Sequence, residues 1–173
     1  MSDIVYNFKS KQLEFNTPKI MGIVNVTPDS FSDGGKYLDT NQAINHALKL
    51  IDDGADIIDV CGESTRPGSE PVSLENELIR TIPVIKNIRS LRKDILISID
   101  TTKSEVAKQA LDNGADIIND ISGLTFDEDM INVAKSFDAG IVIMHIKGNP
   151  KTIQNSPFYL DVVDEVKEFL ITQ

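Results

Sequence analysis

Five apolar runs in this chain each give way to a polar residue, and those residues are Asn25, Asp59, Asp100, Asn119 and His145. One such residue is an accident of loop polarity; five after five strands point to a shared binding site. Two polar segments accompany them. Asn25 opens the first, Asn-Val-Thr-Pro-Asp-Ser-Phe-Ser-Asp-Gly-Gly at 25–35, where hydroxyls and carboxylates surround Phe31 and two glycines follow. That composition suits a loop that closes over a ligand, with an ordinary turn after an edge strand as the alternative. The second segment, Gly-Glu-Ser-Thr-Arg-Pro-Gly at 62–68, carries Arg66. For nucleophilic catalysis the chain offers only Cys61 and two histidines, His46 in a helical pattern and His145 at a strand end.

The elements that must position these residues alternate. Strands are expected over 20–26, 55–60, 95–100, a fourth ending in Asn119 and Asp120, and 140–144, each dominated by apolar or small residues. Helices are expected over 41–53, where Ile44, Ala47, Leu48 and Ile51 recur at helical spacing, and over 74–91, kinked or divided at Pro83. Thr102 with Glu105 and Thr125 with Glu128 read as capping boxes for the next two helices, and a last helix runs over 159–171. Gly-Ala-Asp-Ile-Ile stands at 54–58 and again at 114–118, an internal repeat of helix end, turn and strand start. Near-continuous apolar strands alternating with helices make an α/β chain with a parallel sheet buried on both faces. An open doubly wound sheet and a closed barrel both remain compatible. The segment before Pro18 mixes Val5, Phe8, Leu13 and Phe15 with polar residues, as a short hairpin plugging one end would.

Composition narrows the class. With 173 residues, 40% hydrophobic and 25% charged, the chain suits one globular domain. No apolar run approaches the roughly 20 residues of a membrane helix, and the N-terminus lacks a signal-peptide pattern. The single cysteine fits a reducing compartment, so a cytoplasmic location is expected. A net charge of −10 argues against nucleic-acid binding through a basic face. An anionic ligand has to be held locally against that field.

Five motifs together resemble dihydropteroate synthase: the 25–35 and 62–68 segments, Ser-Ile-Asp-Thr at 98–101, Ile-Ile-Asn-Asp-Ile at 117–121 and Met-His-Ile-Lys-Gly-Asn-Pro at 144–150. The resemblance runs from about Pro18 to Gln154 and implies a parallel (β/α)8 TIM-type barrel, with about five β/α units present here. Residues 1–17 then form an N-terminal arm or hairpin, and 18–173 a partial pterin-binding barrel domain. The implied activity condenses 6-hydroxymethyl-7,8-dihydropterin diphosphate with 4-aminobenzoate, giving 7,8-dihydropteroate and diphosphate. By the same resemblance Asn25 is a Mg²⁺ ligand, Thr65 and Arg66 hold the diphosphate and carry catalysis, Asp100 and Asn119 bind the pterin, and Phe31 and Pro67 pack around 4-aminobenzoate. His145 becomes a structural or supporting group.

The chain departs from that pattern in two places. Cys61 stands where a glycine is expected. A (β/α)8 barrel typically needs about 250 residues, and five units leave three to find, among them the family's later aspartate, lysine and Arg-x-His. Little or no synthase activity is therefore expected of the isolated chain. A non-catalytic product that binds pterin or a partner chain, a pterin-dependent methyltransferase and a homo-oligomer are the open alternatives.

Overall fold

A computed structural model describes residues 4–9, 11–26, 36–64, 70–147 and 158–173, with backbone only for 36–39. Five parallel strands, β3 (Met21–Asn25), β4 (Ile57–Cys61), β5 (Leu96–Asp100), β6 (Ile117–Asp120) and β7 (Gly140–Ile143), pair in that order. An antiparallel hairpin, β1 (Val5–Phe8) and β2 (Lys11–Glu14), precedes them. Helices α1 (Lys36–Asp52), α2 (Leu74–Leu91), α3 (Ser104–Asp112) and α4 (Met130–Phe137) follow successive strands, and α5 (Val162–Thr172) follows β7.

Because side chains alternate along a strand, each strand divides its residues between two faces. On the helix side Val24, Ile58, Val60, Ile97, Ile99 and Ile118 are buried against residues of the four helices such as Ala47, Ile85, Val106 and Met130. The inner face is different. Its amino-terminal end is filled by Ile57, Leu96 and Ile117 packed with Phe8 and Leu13, so the hairpin plugs that end as expected. Its flanks are open, since Ile23 on β3 is 56% exposed and Val142 on β7 is 41% exposed. Burial on both faces therefore holds for the middle strands and not for the two edges.

The Gly-Ala-Asp-Ile-Ile repeat does the same work twice. Gly54 and Gly114 take φ of 105° and 109°, the left-handed region that lets the chain leave a helix and enter a strand within two residues. The N–H groups of Ala55 and Ala115 then donate back to Leu50 and Ala110 carbonyls, each at 2.9 Å. Asp56 N donates to Ile20 O at 2.9 Å while its carboxylate accepts Ile20 N at 2.9 Å. Asp116 repeats the pattern on Ile97, at 2.8 Å and 3.0 Å. Asp116 also accepts from Arg89 at 2.6 Å and Lys11 at 2.9 Å, tying α2 and the hairpin to the same carboxylate.

Several local expectations are corrected. Neither capping box forms: α3 starts at Ser104, whose N–H is taken by Asp127 at 2.7 Å, and α4 starts only at Met130. Thr125 instead bonds Ser122 in a turn, the local competition that hydroxyl residues offer a helix. Pro83 does not divide α2; it sits on the exposed face, where water can serve the carbonyl it leaves unpaired. α1 begins five residues earlier than expected, at Lys36. α5 begins at Val162, capped by Asp161, which accepts from Val163 N and Asp164 N at 3.0 Å each.

Replacing Asp116 by asparagine leaves Arg89 and Lys11 without their carboxylate, and urea unfolding is expected to show a loss of about 3 kcal/mol. The matching Asp56→Asn change, at a side chain 35% exposed against 6%, should cost about 1 kcal/mol.

Candidate functional site

Strand register brings four of the residues picked out above into one row. Asn25 pairs with Cys61, Cys61 with Asp100, and Asp100 with Asn119, all at the carboxyl ends of β3–β6. Two residues earlier the next row on the same face reads Ile23, Asp59, Ser98 and Ile117. Asp59 is therefore not the terminal residue of β4, as the sequence suggested; Cys61 is, and Asp59 lies one pleat deeper. Asp120 turns to the opposite face, fully buried, and accepts from Ser122 N and Leu124 N at 2.7 and 3.1 Å.

His145 stays outside this row. It follows β7 by two residues, with its ring edge-on to Phe169 at 5.0 Å between centroids and 5.8 Å from Tyr159. The residue of β7 beside Asn119 is Val142. His46 is exposed on α1. Phe31, Thr65, Arg66 and Pro67 lie outside the described residues.

The inner face is rich in acidic groups and poor in cations. Burial, and then the neighbouring Asp59 charge, raises the Asp100 carboxyl to about 7. Burial likewise raises Asp59, opposed by Ser98 and Asn119. Asn119 Nδ2 donates to Asp59 Oδ2 at 3.1 Å. Asp59 Oδ1 and Ser98 Oγ are buried without a hydrogen-bond partner among the described residues. Burial also pushes the Cys61 thiol up; its Sγ donates to Glu63 O at 2.7 Å, which makes it an inert packing group and not a nucleophile.

Beside this face stands a cluster that the sequence did not disclose. Glu77 on α2 is fully buried, accepts Thr101 Oγ1 at 2.6 Å and Lys103 Nζ at 2.6 Å, and shares that lysine with Glu63. Burial works against the Lys103 charge, but its hydrogen bonds to the two glutamates outweigh it and raise its pKa. Arg80 adds a bond to Gly62 O at 2.9 Å. The start of the 62–68 segment is thus clamped to α2 and to the loop after β5. Lys103 was concealed within an apparent capping box, and only the tertiary fold brings Glu63 and Glu77 to it.

Among the described residues no group of three or more His, Cys, Asp or Glu side chains could hold a metal ion. Asn25, exposed at the end of β3, offers one neutral amide oxygen. That fits Mg²⁺, which commonly takes one or two protein ligands and completes its shell with phosphate oxygens and water.

The raised Asp100 carboxyl has a consequence for stability. Folded chain keeps that proton up to pH about 7, whereas an unfolded aspartate releases it near 3.8, so the contribution of Asp100 to stability is fully present in acid and is lost as pH rises through that interval. From pH 5 to pH 8 the contribution is about 2–3 kcal/mol, and urea unfolding of Asp100→Asn is expected to lose that much of the slope.

Comparison with known proteins accounts for this geometry. Residues 21–173 match the family described as pterin binding enzyme. The dihydropteroate synthase of Synechocystis is 53% identical over 154 residues, covering 89% of this chain and 53% of that protein. Among solved structures, Yersinia pestis dihydropteroate synthase with a sulfonamide drug superposes with a TM-score of 0.88 at 38% identity, over 98% of this chain and 61% of that one. Xanthomonas albilineans dihydropteroate synthase with 4-aminobenzoic acid gives 0.84 at 42% identity, over 93% and 56%. The chain spans about half the length of the curated relatives it matches. Its five parallel strands are part of a (β/α) barrel, and the chain belongs to the pterin-binding enzyme family.

Proposed function

We propose that this chain supplies the pterin and diphosphate side of a dihydropteroate synthase site, working in the cytoplasm on 6-hydroxymethyl-7,8-dihydropterin diphosphate and 4-aminobenzoate. The observation that carries the proposal is the row of Asn25, Cys61, Asp100 and Asn119 across four adjacent strand ends. Asp100 and Asn119 meet the polar edge of the pterin ring, and a ring lacking those groups leaves them buried and unpaired, which is the basis of selection. Thr65 and Arg66 hold the diphosphate, the guanidinium through paired N–H donors. Phe31 and Pro67 pack on the arylamine.

The reaction asks little covalent chemistry of the protein. The methylene C–O bond breaks with its electron pair leaving on diphosphate; the arylamine nitrogen forms the new C–N bond and gives up a proton. Mg²⁺, when bound at Asn25, spreads the charge of the leaving diphosphate. The side chains supply an electrostatic setting for departing negative charge and exclude water from the cationic carbon. An uncharged or acid-paired inner face also fits a cationic intermediate better than a basic one.

Binding and turnover separate in the test. The pterin diphosphate with Mg²⁺ is expected to bind the chain in calorimetry, with Arg66→Ala weakening it about tenfold or more. Diphosphate release on adding 4-aminobenzoate should stay near background, because five barrel units leave the inner face open at β3 and β7. Failure to bind overturns the proposal; arylamine-dependent release that falls in Arg66→Ala would show that five units suffice for turnover.

A further inference from the structure

Asp59 sits one pleat below the proposed pterin contacts, 3% exposed, and its only hydrogen bond among the described residues is the one it accepts from Asn119 Nδ2 at 3.1 Å. A carboxylate can only accept, so it fixes which end of the Asn119 amide faces it. One N–H of the NH₂ end is held by Asp59, which leaves the oxygen for whatever occupies the inner face beside Asp100. We infer that Asp59 is a positioning residue that sets the Asn119 amide, holding its NH₂ end and leaving its oxygen as the acceptor beside Asp100.

Three further observations agree. Asp100, the register partner of Asn119, brings a carboxyl oxygen to the same row. Asp59 Oδ1 and Ser98 Oγ, the neighbours in the row beneath, are buried polar atoms without a partner among the described residues. No lysine or arginine side chain is bonded to Asp59, Asp100 or Asn119 among the described residues. Such a face selects a ring that offers adjacent N–H groups. Pterin, with an amino group at C2 beside its N3–H, meets that demand; lumazine, with a carbonyl oxygen at C2, sets oxygen against oxygen. An Asn119 free to turn could donate to the lumazine oxygen and blur the distinction.

The inference rests on the proposed pterin site, and the experiment separates the two. Fluorescence titration of pterin and lumazine compares the native chain, Asp59→Leu, Asn119→Asp and the Asp59→Leu/Asn119→Asp pair. The native chain is expected to prefer pterin about tenfold or more. Asp59→Leu should weaken pterin and largely abolish the preference. Adding Asn119→Asp should restore both to within about threefold, since a carboxylate accepts whichever way it turns and the pair keeps the native number of inner-face carboxylates. Asn119→Asp alone should weaken pterin, because it sets a third carboxylate beside Asp59 and Asp100. That reversal of sign between backgrounds is not the behaviour of a residue that merely holds the fold. Should the leucine variant not fold, exchanging the two as Asp59→Asn with Asn119→Asp preserves one amide donating to one carboxylate, and native preference is expected there too. An unchanged preference in Asp59→Leu, or no recovery in the paired variant, overturns the role of Asp59 while leaving the pterin site standing. A native chain that binds neither ring overturns both.

Discussion

The reciprocal bonds of Asp56 and Asp116 to the neighbouring strands are the constraint on which the site depends. Each aspartate uses its own N–H and its carboxylate on one residue, Ile20 or Ile97, and so locks one strand against the next before the ladder begins. Register in a parallel sheet decides which side chains share a face, and a slip of one residue would send Asp100 and Asn119 toward the helices. With register fixed at the amino-terminal end, the carboxyl ends fall into line 10 or more Å away, at about 3.3 Å per residue. The site is thus assembled from the end opposite to it. Arg89 extends the same logic, since its hydrogen bonds to Gly114 O and Ile95 O hold the turns that carry Asp116 and β5.

What the inner face gains in selectivity it gives up in stability. A buried carboxyl that keeps its proton to about pH 7, a second, raised carboxyl with one unpartnered oxygen and an unpartnered buried hydroxyl are all arrangements that an apolar core would avoid. The hydrophobic plug of Phe8 and Leu13 packs at the amino-terminal end, away from the polar row at the carboxyl ends of the strands. A donor-rich ring that satisfied these groups would relieve the cost, and binding and stability would then be linked.

Much of this was legible in the sequence, and the failures have physical causes. Strand positions followed from apolar runs, and the doubled Gly-Ala-Asp-Ile-Ile disclosed two equivalent turns whose glycines do take positive φ. The hairpin plug and the strand-end residues Asn25, Asp100 and Asn119 also followed, because they depend on periodicity and on where polarity begins. The capping boxes failed because Asp127, more than twenty residues from Ser104, took the helix N-terminus that Thr102 was expected to cap. Pro83 does not divide α2, because on the exposed face water can serve the carbonyl it leaves unpaired. Asp59 was seen as a strand end and not as a buried partner of Asn119, since its 60-residue separation from Asn119 is bridged only by the strand order.

Charge explains why the Lys103 cluster matters to an anionic ligand. The chain carries −10 overall, and Glu63 and Glu77 stand at the root of the segment that holds Arg66. Were both left bare, their field would oppose a diphosphate at short range, where screening by salt is weakest. Lys103 pairs with both at once, and Thr101 takes the remaining oxygen of Glu77. The burial of Glu77 therefore does two things: it braces α2 against the loop after β5, and it keeps Lys103 in place as a cation that offsets Glu63. A lysine that served only to bind diphosphate would stand free at the surface. This one is committed to two carboxylates, so its effect on an anion is to remove repulsion, and direct attraction falls to the role proposed above for Arg66.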